Sequence, residues 1–134
     1  YERFAGKNCS AMYLGGYANR HQIELLKKIG RENPECRFWH FGDIDIGGFL
    51  IHQHLCLATG MAFRLFHMGV AELRDEGCKN ALTELTKHDV ARAENLRPNP
   101  AYQEVLKEML KKKVKLEQEM VSYALMKRSD RTLF

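Results

Sequence analysis

The chain has 134 residues, of which 45% are hydrophobic and 28% are charged, and its formal net charge is +4. This composition is typical of one soluble globular domain, and no apolar stretch reaches the roughly 20 residues that span a bilayer. We therefore expect a single cytoplasmic domain with no membrane segment and no secretory leader.

The first half of the chain predicts strands that alternate with helices. The predicted strands are 10–14, 36–42 and 61–67, and the predicted helices are 19–29, capped by Asn19, and 49–58. The second strand is apolar with little alternation, so we expect it to be covered on both faces. Alternating strands and helices predict a mostly parallel sheet with flanking helices and right-handed crossovers, which is an α/β fold.

The second half of the chain predicts helices. They run from Thr83 or Thr86 to Asn95, from Pro100 to an interruption at 111–113, and over the apolar face of 114–125. We accordingly divide the single domain into an α/β core over 1–69 and a helical extension over 70–134.

The four cysteines form no Cys-x-x-Cys pair and are widely spaced. Such spacing argues against a zinc site and against a disulfide framework. Free cysteines tend to be buried, so we expect reduced core residues at all four positions: Cys9, Cys36, Cys56 and Cys78.

Basic residues are concentrated near the end of the chain. They are Lys107, Lys111, Lys112, Lys113, Lys115, Lys127, Arg128 and Arg131. Such a segment can bind the phosphate backbone of a nucleic acid. Because glutamates are interspersed at helical spacing, a solvated helix face is an equally good interpretation.

The most informative motif is Asp43-Ile44-Asp45, which follows the second predicted strand and precedes Gly47 and Gly48. Residues i and i+2 of an extended segment point to the same side, so the two carboxylates converge beyond the strand end. Two convergent carboxylates are costly unless a cation lies between them, and Mg²⁺ bound through few protein oxygens is a natural occupant. In parallel sheets, ligands bind at this edge.

Several other interpretations of the motif remain open. A calcium loop needs Glu at position 12, where His54 stands, and a haloacid-dehalogenase-like phosphatase has a hydroxyl or valine where Gly47 stands. A glycosyltransferase Asp-x-Asp motif has no further support. The structural interpretation is that Asp43 and Asp45 cap the glycine turn and the following helix.

Four segments in consistent order carry a resemblance to a known family: Tyr13–Tyr17, His40–Asp45, Phe63–Gly69 and Lys115–Glu119. They resemble the carboxy-terminal Toprim region of the Wadjet D-subunit family. The resemblance implies a Toprim-like fold and a divalent-metal-dependent DNA endonuclease of a plasmid-defence system. It also implies double-stranded DNA and SMC-like defence subunits as partners. By analogy with the related A subunit of topoisomerase VI, it implies a homodimer.

The resemblance also assigns roles to individual positions. Asp43 and Asp45 would bind Mg²⁺ or Mn²⁺ and act as the catalytic pair. Gly15 and Gly16, after the first predicted strand, would let the backbone approach the metal or phosphate closely.

Three further residues are candidates for the same pocket. His40 would form a hydrogen bond near the site, or else be a satisfied core residue. Glu117 and Glu119 would line the pocket, or else serve the structure. His52 and His54 are expected to be structural or at the surface, because residues two apart on a helix do not share a face.

One acidic residue of the family pattern has no counterpart here. Toprim chemistry also uses a glutamate on an earlier strand, and Glu2 stands in a context that resembles the segment after that glutamate. We therefore expect the chain, which begins at Tyr1, to be a piece of a longer protein that binds Mg²⁺ weakly and cleaves DNA poorly. Because no winged-helix tyrosine is encoded, hydrolysis by water is the expected chemistry of the full protein. The alternative is a non-catalytic Toprim-like module that binds DNA or mediates assembly.

Overall fold

The protein is described by a computed structural model that covers residues 9–131. In this range the chain forms six helices and four short strands, joined by two 3-10 turns. The elements are α1 (Arg20–Glu32), β1 (Phe38–His40), α2 (Ile46–Thr59), β2 (Phe63–Leu65), α3 (Val70–Leu73), β3 (Thr83–Glu84), α4 (Lys87–Ala93), α5 (Gln103–Lys112), β4 (Val114–Lys115) and α6 (Gln118–Arg131), with the turns at Lys79–Ala81 and Pro100–Tyr102.

Strands β1 and β2 form a small parallel sheet, with α2 as the crossover between them. Phe38 pairs with Phe63 and His40 pairs with Leu65. Helix α2 packs against α1 and β2, so helices flank this sheet. The predicted α/β class with a parallel pair of strands is therefore confirmed.

The strand predicted over 10–14 is wrong. These residues pair with no strand in the described chain, and Tyr13 is 91% exposed. The side-chain amide of Gln22 instead donates to the carbonyls of Tyr13 and Leu14, each at 3.3 Å. The apolar side chains of Met12 and Tyr13 remain in solvent, so no core stabilises an extended strand here.

The two predicted strands of the sheet are shorter than expected, with three residues each. The expectation that the second predicted strand is covered on both faces is also wrong, because Trp39 in β1 is 51% exposed. Trp39 and its register partner Arg64 lie on the open face, where the guanidinium stacks over the indole ring at 5.5 Å. The β1 sequence shows little alternation because its solvent-facing residue, Trp39, is aromatic and not polar.

Helix α1 begins where the sequence predicts and ends three residues later than expected, at Glu32. Asn19 accepts a hydrogen bond from the backbone of Gln22, and the Gln22 side chain accepts one from the backbone of Asn19, each at 2.9 Å. This reciprocal capping box explains why the start of α1 can be read from local sequence.

Helix α2 begins three residues earlier than predicted. Asp45 is its N-cap, so Gly47 and Gly48 lie inside its first turn instead of forming a turn before it. The helix ends at Thr59, and the next residue, Gly60, is its C-cap in the left-handed conformation that favours glycine.

The second half of the chain contains an antiparallel strand pair that the sequence does not predict. Thr83 of β3 pairs with Lys115 of β4, so Thr83 is not the cap of α4. Thr86 is that cap, and α4 ends at Ala93. The predicted helix interruption is confirmed, because α5 ends before Lys113, whose φ is 57°. Strands of two residues show no periodicity, so they are invisible in the sequence.

The main hydrophobic core joins the start of α2 to the helices of the second half. Its largest fully buried side chains include Tyr102, Phe49, Ile44, Ile46, Leu96, Met109, Leu116 and Val121. A smaller cluster lies between α1, α2 and β2. In the described part of the chain, no helix is long and apolar enough to cross a membrane.

The prediction that all four cysteines are core residues is wrong for two of them. Cys78 is buried and Cys56 is half-buried, whereas Cys9 and Cys36 are exposed. Cys9 precedes α1 in the segment that forms no strand, and Cys36 precedes β1, so neither reaches a core. Among the described residues, none of the four forms a disulfide bond.

Candidate acidic site

The acidic pair lies in the loop between β1 and α2, at the carboxyl end of the parallel strands. Ile44, between the two aspartates, is fully buried. Its backbone N–H donates to the carbonyl of Leu116 at 2.8 Å, and its carbonyl accepts from the N–H of Leu116 at 3.1 Å. This two-bond bridge fixes the Asp43–Asp45 loop to the chain between β4 and α6.

Asp45 caps the amino end of α2. Its Oδ1 accepts a hydrogen bond from the backbone N–H of Gly48 at 2.6 Å. The structural interpretation of the motif is therefore correct for Asp45. A helix amino end carries partial positive charge, so this contact also stabilises the carboxylate.

Asp43 contacts the amino end of a second helix. Its Oδ1 accepts a hydrogen bond at 2.7 Å from the backbone N–H of Gln118, the first residue of α6. Each aspartate is thus held through Oδ1 by one helix amino end. Within residues 9–131, Oδ2 of Asp43 and Oδ2 of Asp45 accept no hydrogen bond.

A partly buried ion pair lies beside the two aspartates. Lys115 donates from Nζ to Oδ2 of Asp89 at 2.8 Å. The same Oδ2 accepts from the backbone N–H of Thr86 at 2.9 Å. The hydrogen bond from Lys115 is the largest cause that lowers the pKa of Asp89 to about 2.

The charges of this group act on Asp45. Burial raises the pKa of Asp45, and the negative charges of Asp43 and Asp89 raise it further. The hydrogen bond from Gly48 and the positive charge of Lys115 act in the opposite direction. Asp43, Asp45, Asp89 and Lys115 therefore form one electrostatic unit.

Asp89 and Lys115 were not among the site residues that the sequence predicts. Asp89 is the third helical residue after the cap Thr86, a spacing that marks a helix start and no more. Lys115 belongs both to the basic segment and to a segment that carries the family resemblance, but neither signal distinguishes it from the neighbouring lysines. The two residues are 26 positions apart, so no local pattern connects them.

Gly15 and Gly16 are not brought to the acidic pair. Both have positive φ, 71° and 113°, as expected for glycines in a tight turn. A Cβ built at Gly15 meets only Tyr13 within 4 Å, and one built at Gly16 meets nothing. Neither aspartate lies within 4 Å of these built Cβ positions. The predicted approach of the Gly15 and Gly16 backbone to a metal or phosphate stays a prediction.

Glu117 and Glu119 flank Gln118, whose backbone contacts Asp43. Both side chains are exposed. The structure thus places them next to the acidic loop, at its solvent side. No group of three or more His, Cys, Asp or Glu side chains in residues 9–131 is arranged to hold a metal ion. Glu2 lies outside the described residues.

His40 is a buried residue that is not fully satisfied. Within the described chain its Nε2 has no hydrogen-bond partner. A Cβ added at Gly42 would come within 2.9 Å of this nitrogen, so the missing side chain of Gly42 makes room for the ring. Burial, followed by the neighbouring His52, lowers the pKa of His40 to about 4. The ring is therefore neutral at pH 7.

His52 was expected to be structural or at the surface, and the structure shows that it is structural. Its Nε2 lies 2.6 Å from the carbonyl of Phe63, and its Nδ1 lies 2.6 Å from the hydroxyl of Tyr102. Because a carbonyl only accepts, Nε2 carries the proton and Tyr102 donates to Nδ1. His54, two residues on, is exposed, so the two histidines do not share a face.

Seven of the eight basic residues near the end of the chain have side chains that the structure describes, and these seven divide into two groups. The side chain of Arg131 lies outside the described part. The paired group is Lys112 with Glu108, Lys115 with Asp89, Arg128 with Asp75, and Lys127 over the ring of Tyr123. The other group is Lys107, Lys111 and Lys113, which are exposed and form no ion pair with a described residue. Both interpretations of the basic segment thus retain support, since pairing stabilises the fold while three lysines face solvent.

Comparisons with known proteins agree with the resemblance in the sequence. The chain is 27% identical over 125 residues to the Wadjet protein JetD of Bacillus cereus (strain Q1), a match that covers 85% of this chain and 29% of that protein. The chain thus spans less than a third of that relative. No solved structure matches the chain. The family model described as "Wadjet protein JetD, C-terminal" matches residues 5–130, so the chain belongs to the family of Wadjet JetD carboxy-terminal regions.

Proposed function

We propose that this chain is the Toprim-type, divalent-metal-dependent DNA endonuclease domain of a plasmid-defence protein. Membership of the JetD carboxy-terminal family supports the defence role. The acidic loop at the carboxyl end of β1 supports the chemistry, because ligands of parallel sheets bind at this edge.

One observation carries the proposal. Asp43 and Asp45 are each held through Oδ1 by a helix amino end, and Oδ2 of each accepts no hydrogen bond within residues 9–131. Two oriented carboxylates with one oxygen each for a ligand fit Mg²⁺, which proteins commonly bind through one or two carboxylates and substrate phosphates. The two carboxylates therefore supply two of the six ligands of an octahedral Mg²⁺ ion, and water and phosphate oxygens would supply the others.

The chain's own residues would divide the work as follows. Asp43 and Asp45 would hold Mg²⁺ or Mn²⁺, and the amino ends of α2 and α6 would keep both carboxylates oriented. A bound ion would supply Lewis-acid stabilisation of the charge that develops on the scissile phosphate. The expected reaction is hydrolysis of double-stranded DNA by water. The expected partners are SMC-like defence subunits, and the expected assembly is a homodimer.

A second function has its own supporting observation. Asp45 is a helix cap, Asp43 contacts the start of another helix, and no group of three metal-binding side chains lies within the described chain. A non-catalytic module that binds DNA or mediates assembly requires no more than this.

The deciding experiment removes both charges while keeping the helix contacts. Asparagine also caps helices, so Asp43→Asn with Asp45→Asn should leave the fold intact. Asp75→Asn is the matched control, because Asp75 likewise accepts a backbone hydrogen bond, from Gly77 at 2.7 Å, outside the acidic loop. The measurements are calorimetric titration with Mn²⁺ and plasmid nicking, in the complete natural protein that carries this chain.

The nuclease proposal predicts that the double variant loses Mn²⁺ binding and nicking but retains DNA binding, whereas the control keeps all three. Unchanged nicking in the double variant would refute the nuclease and leave the non-catalytic module. A side comparison of the chain alone with the complete protein tests whether an upstream glutamate is needed for tight metal binding.

A further inference from the structure

Both the backbone and the side chain of Lys115 are held beside the acidic pair. It lies in β4, in register with Thr83, and the next residue, Leu116, forms the two backbone hydrogen bonds with Ile44. The backbone of Lys115 is therefore fixed one residue away from the loop that carries both aspartates.

The side chain of Lys115 is also fixed. Its ammonium donates to Oδ2 of Asp89 at 2.8 Å, and its side chain is 27% exposed. Asp89 is in turn held by the backbone N–H of Thr86, so the acceptor cannot swing away with the lysine. Lysines on a surface helix lack such a support, and their ammonium groups sample many positions.

Lys115 has unused hydrogen-bonding capacity. An ammonium has three N–H donors, and within residues 9–131 Asp89 takes one of them. The two remaining donors belong to a partly exposed group whose charge acts on Asp45. A second anion near Asp45 can therefore be bound without breaking the ion pair with Asp89.

The charge balance of the site favours a positively charged side chain such as that of Lys115. Asp43, Asp45 and Asp89 carry three negative charges, and a phosphodiester would add another. A single divalent ion and Lys115 together supply three positive charges, so the lysine reduces the repulsion that a phosphate would meet.

From this placement we propose that Lys115 is a phosphate-binding residue of the acidic site, oriented by Asp89. The inference rests on the proposed function, since the ligand is the phosphodiester of duplex DNA. The net basic charge of the segment does not show which residue binds phosphate, and this proposal names Lys115.

The test is the salt dependence of DNA binding, which requires no cleavage. Affinity for a short duplex is measured by fluorescence anisotropy at several salt concentrations, with Ca²⁺ as the divalent ion, on the complete natural protein that carries the chain. The variants are Lys115→Met and Lys115→Arg, and the matched control is Lys112→Met, because Lys112 forms an equally short ion pair, with Glu108 at 2.7 Å.

Loss of one phosphate contact lowers the slope of log affinity against log salt by about 1. We expect this change for Lys115→Met, wild-type behaviour for Lys112→Met, and a restored slope for Lys115→Arg. A merely structural role of Lys115 would alter the melting temperature without altering the slope.

Equal slopes for Lys115→Met and wild type would overturn the proposal, as would an equal drop for Lys112→Met. These results are separate from the test of the proposed nuclease function, which is refuted if the Asp43→Asn, Asp45→Asn variant still nicks DNA. If the wild-type protein does not bind duplex DNA at all, both the inference and the DNA-directed function are wrong.

Discussion

The carbonyl oxygen of Asp43 lies directly against Gly48, so closely that a Cβ at Gly48 would overlap it. This contact brings the first turn of α2 onto the acidic loop and lets the N–H of Gly48 reach Asp45. Gly48→Ala should therefore lower the free energy of unfolding by about 3 kcal/mol, as overpacking against fixed backbone does. Urea denaturation measures the change.

Gly47→Ala is the matched control for this prediction. A Cβ at Gly47 would lie 3.4 Å from Oδ1 of Asp45 and 3.9 Å from Nη2 of Arg92, which are ordinary contacts. Alanine is the better helix former, so we expect no loss and up to about 1 kcal/mol of gain. Equal losses at Gly47 and Gly48 would contradict the role given to the Asp43 carbonyl.

Asp45→Asn should leave stability nearly unchanged, within about 0.5 kcal/mol, because asparagine caps helices as well as aspartate does. Burial and the charge of Asp43 raise the pKa of Asp45, so removal of its charge brings no electrostatic penalty. Asp45→Ala should cost about 1 kcal/mol, because the hydrogen bond from Gly48 is lost. Thermal unfolding of the two variants separates the cap from the charge.

Acid should unfold the protein partly through two paired carboxylates. Hydrogen bonds from Lys115 hold the pKa of Asp89 at about 2, and hydrogen bonds from Arg74 and then Lys112 hold the pKa of Glu108 at about 2. Their ordinary values are 3.8 and 4.5. Their stabilising contribution is thus complete above about pH 5 and is lost as the pH falls toward 2.

The matching measurement is the free energy of unfolding between pH 5 and pH 2, in wild type, Asp89→Asn and Glu108→Gln. Each substitution should make the free energy of unfolding depend less steeply on pH. The reason is that it removes a carboxyl group whose pKa is lower in the native protein than in the unfolded chain. A wild-type curve without a slope in this range would contradict both ion pairs.

His40 predicts a second pH dependence at milder acidity. Its pKa falls from 6.5 in the unfolded chain to about 4 in the native protein, so the unfolded chain binds the extra proton between these values. Stability should therefore fall as the pH is lowered from 6.5 toward 4. His40→Phe should remove this loss, giving a larger gain at pH 5 than at pH 8. Calorimetric melting at both pH values measures the difference.

The parts of the fold that could be read from the sequence are those specified by neighbouring residues. Asn19 and Gln22 cap each other three residues apart, and the Asp43-Ile44-Asp45 motif is contiguous. The parallel β1-α2-β2 unit follows from alternating apolar segments. Each of these features depends on spacing within one element, which a single sequence displays.

The parts that could not be read depend on distant partners. Gln118 lies 75 residues from Asp43, and Lys115 lies 26 residues from Asp89. The strand predicted around Met12 fails for the same reason, since an apolar residue becomes part of a strand only where a partner covers it. The acidic pair was therefore predictable as a motif. The positions of Lys115 and of α6 beside the pair were not predictable.

The backbone N–H of Gln118 donates to Asp43, so a measurement on this one amide reports on the acidic loop. Any ligand drawn to Asp43 changes the electron density at the acceptor of that amide proton, and its NMR shift and hydrogen-exchange rate report the change directly. By linkage, whatever binds the loop also tightens or loosens the docking of α6, so the last helix and the ligand share one equilibrium. Occupancy of the loop can thus be followed at Gln118 without a substrate or a cleavage product.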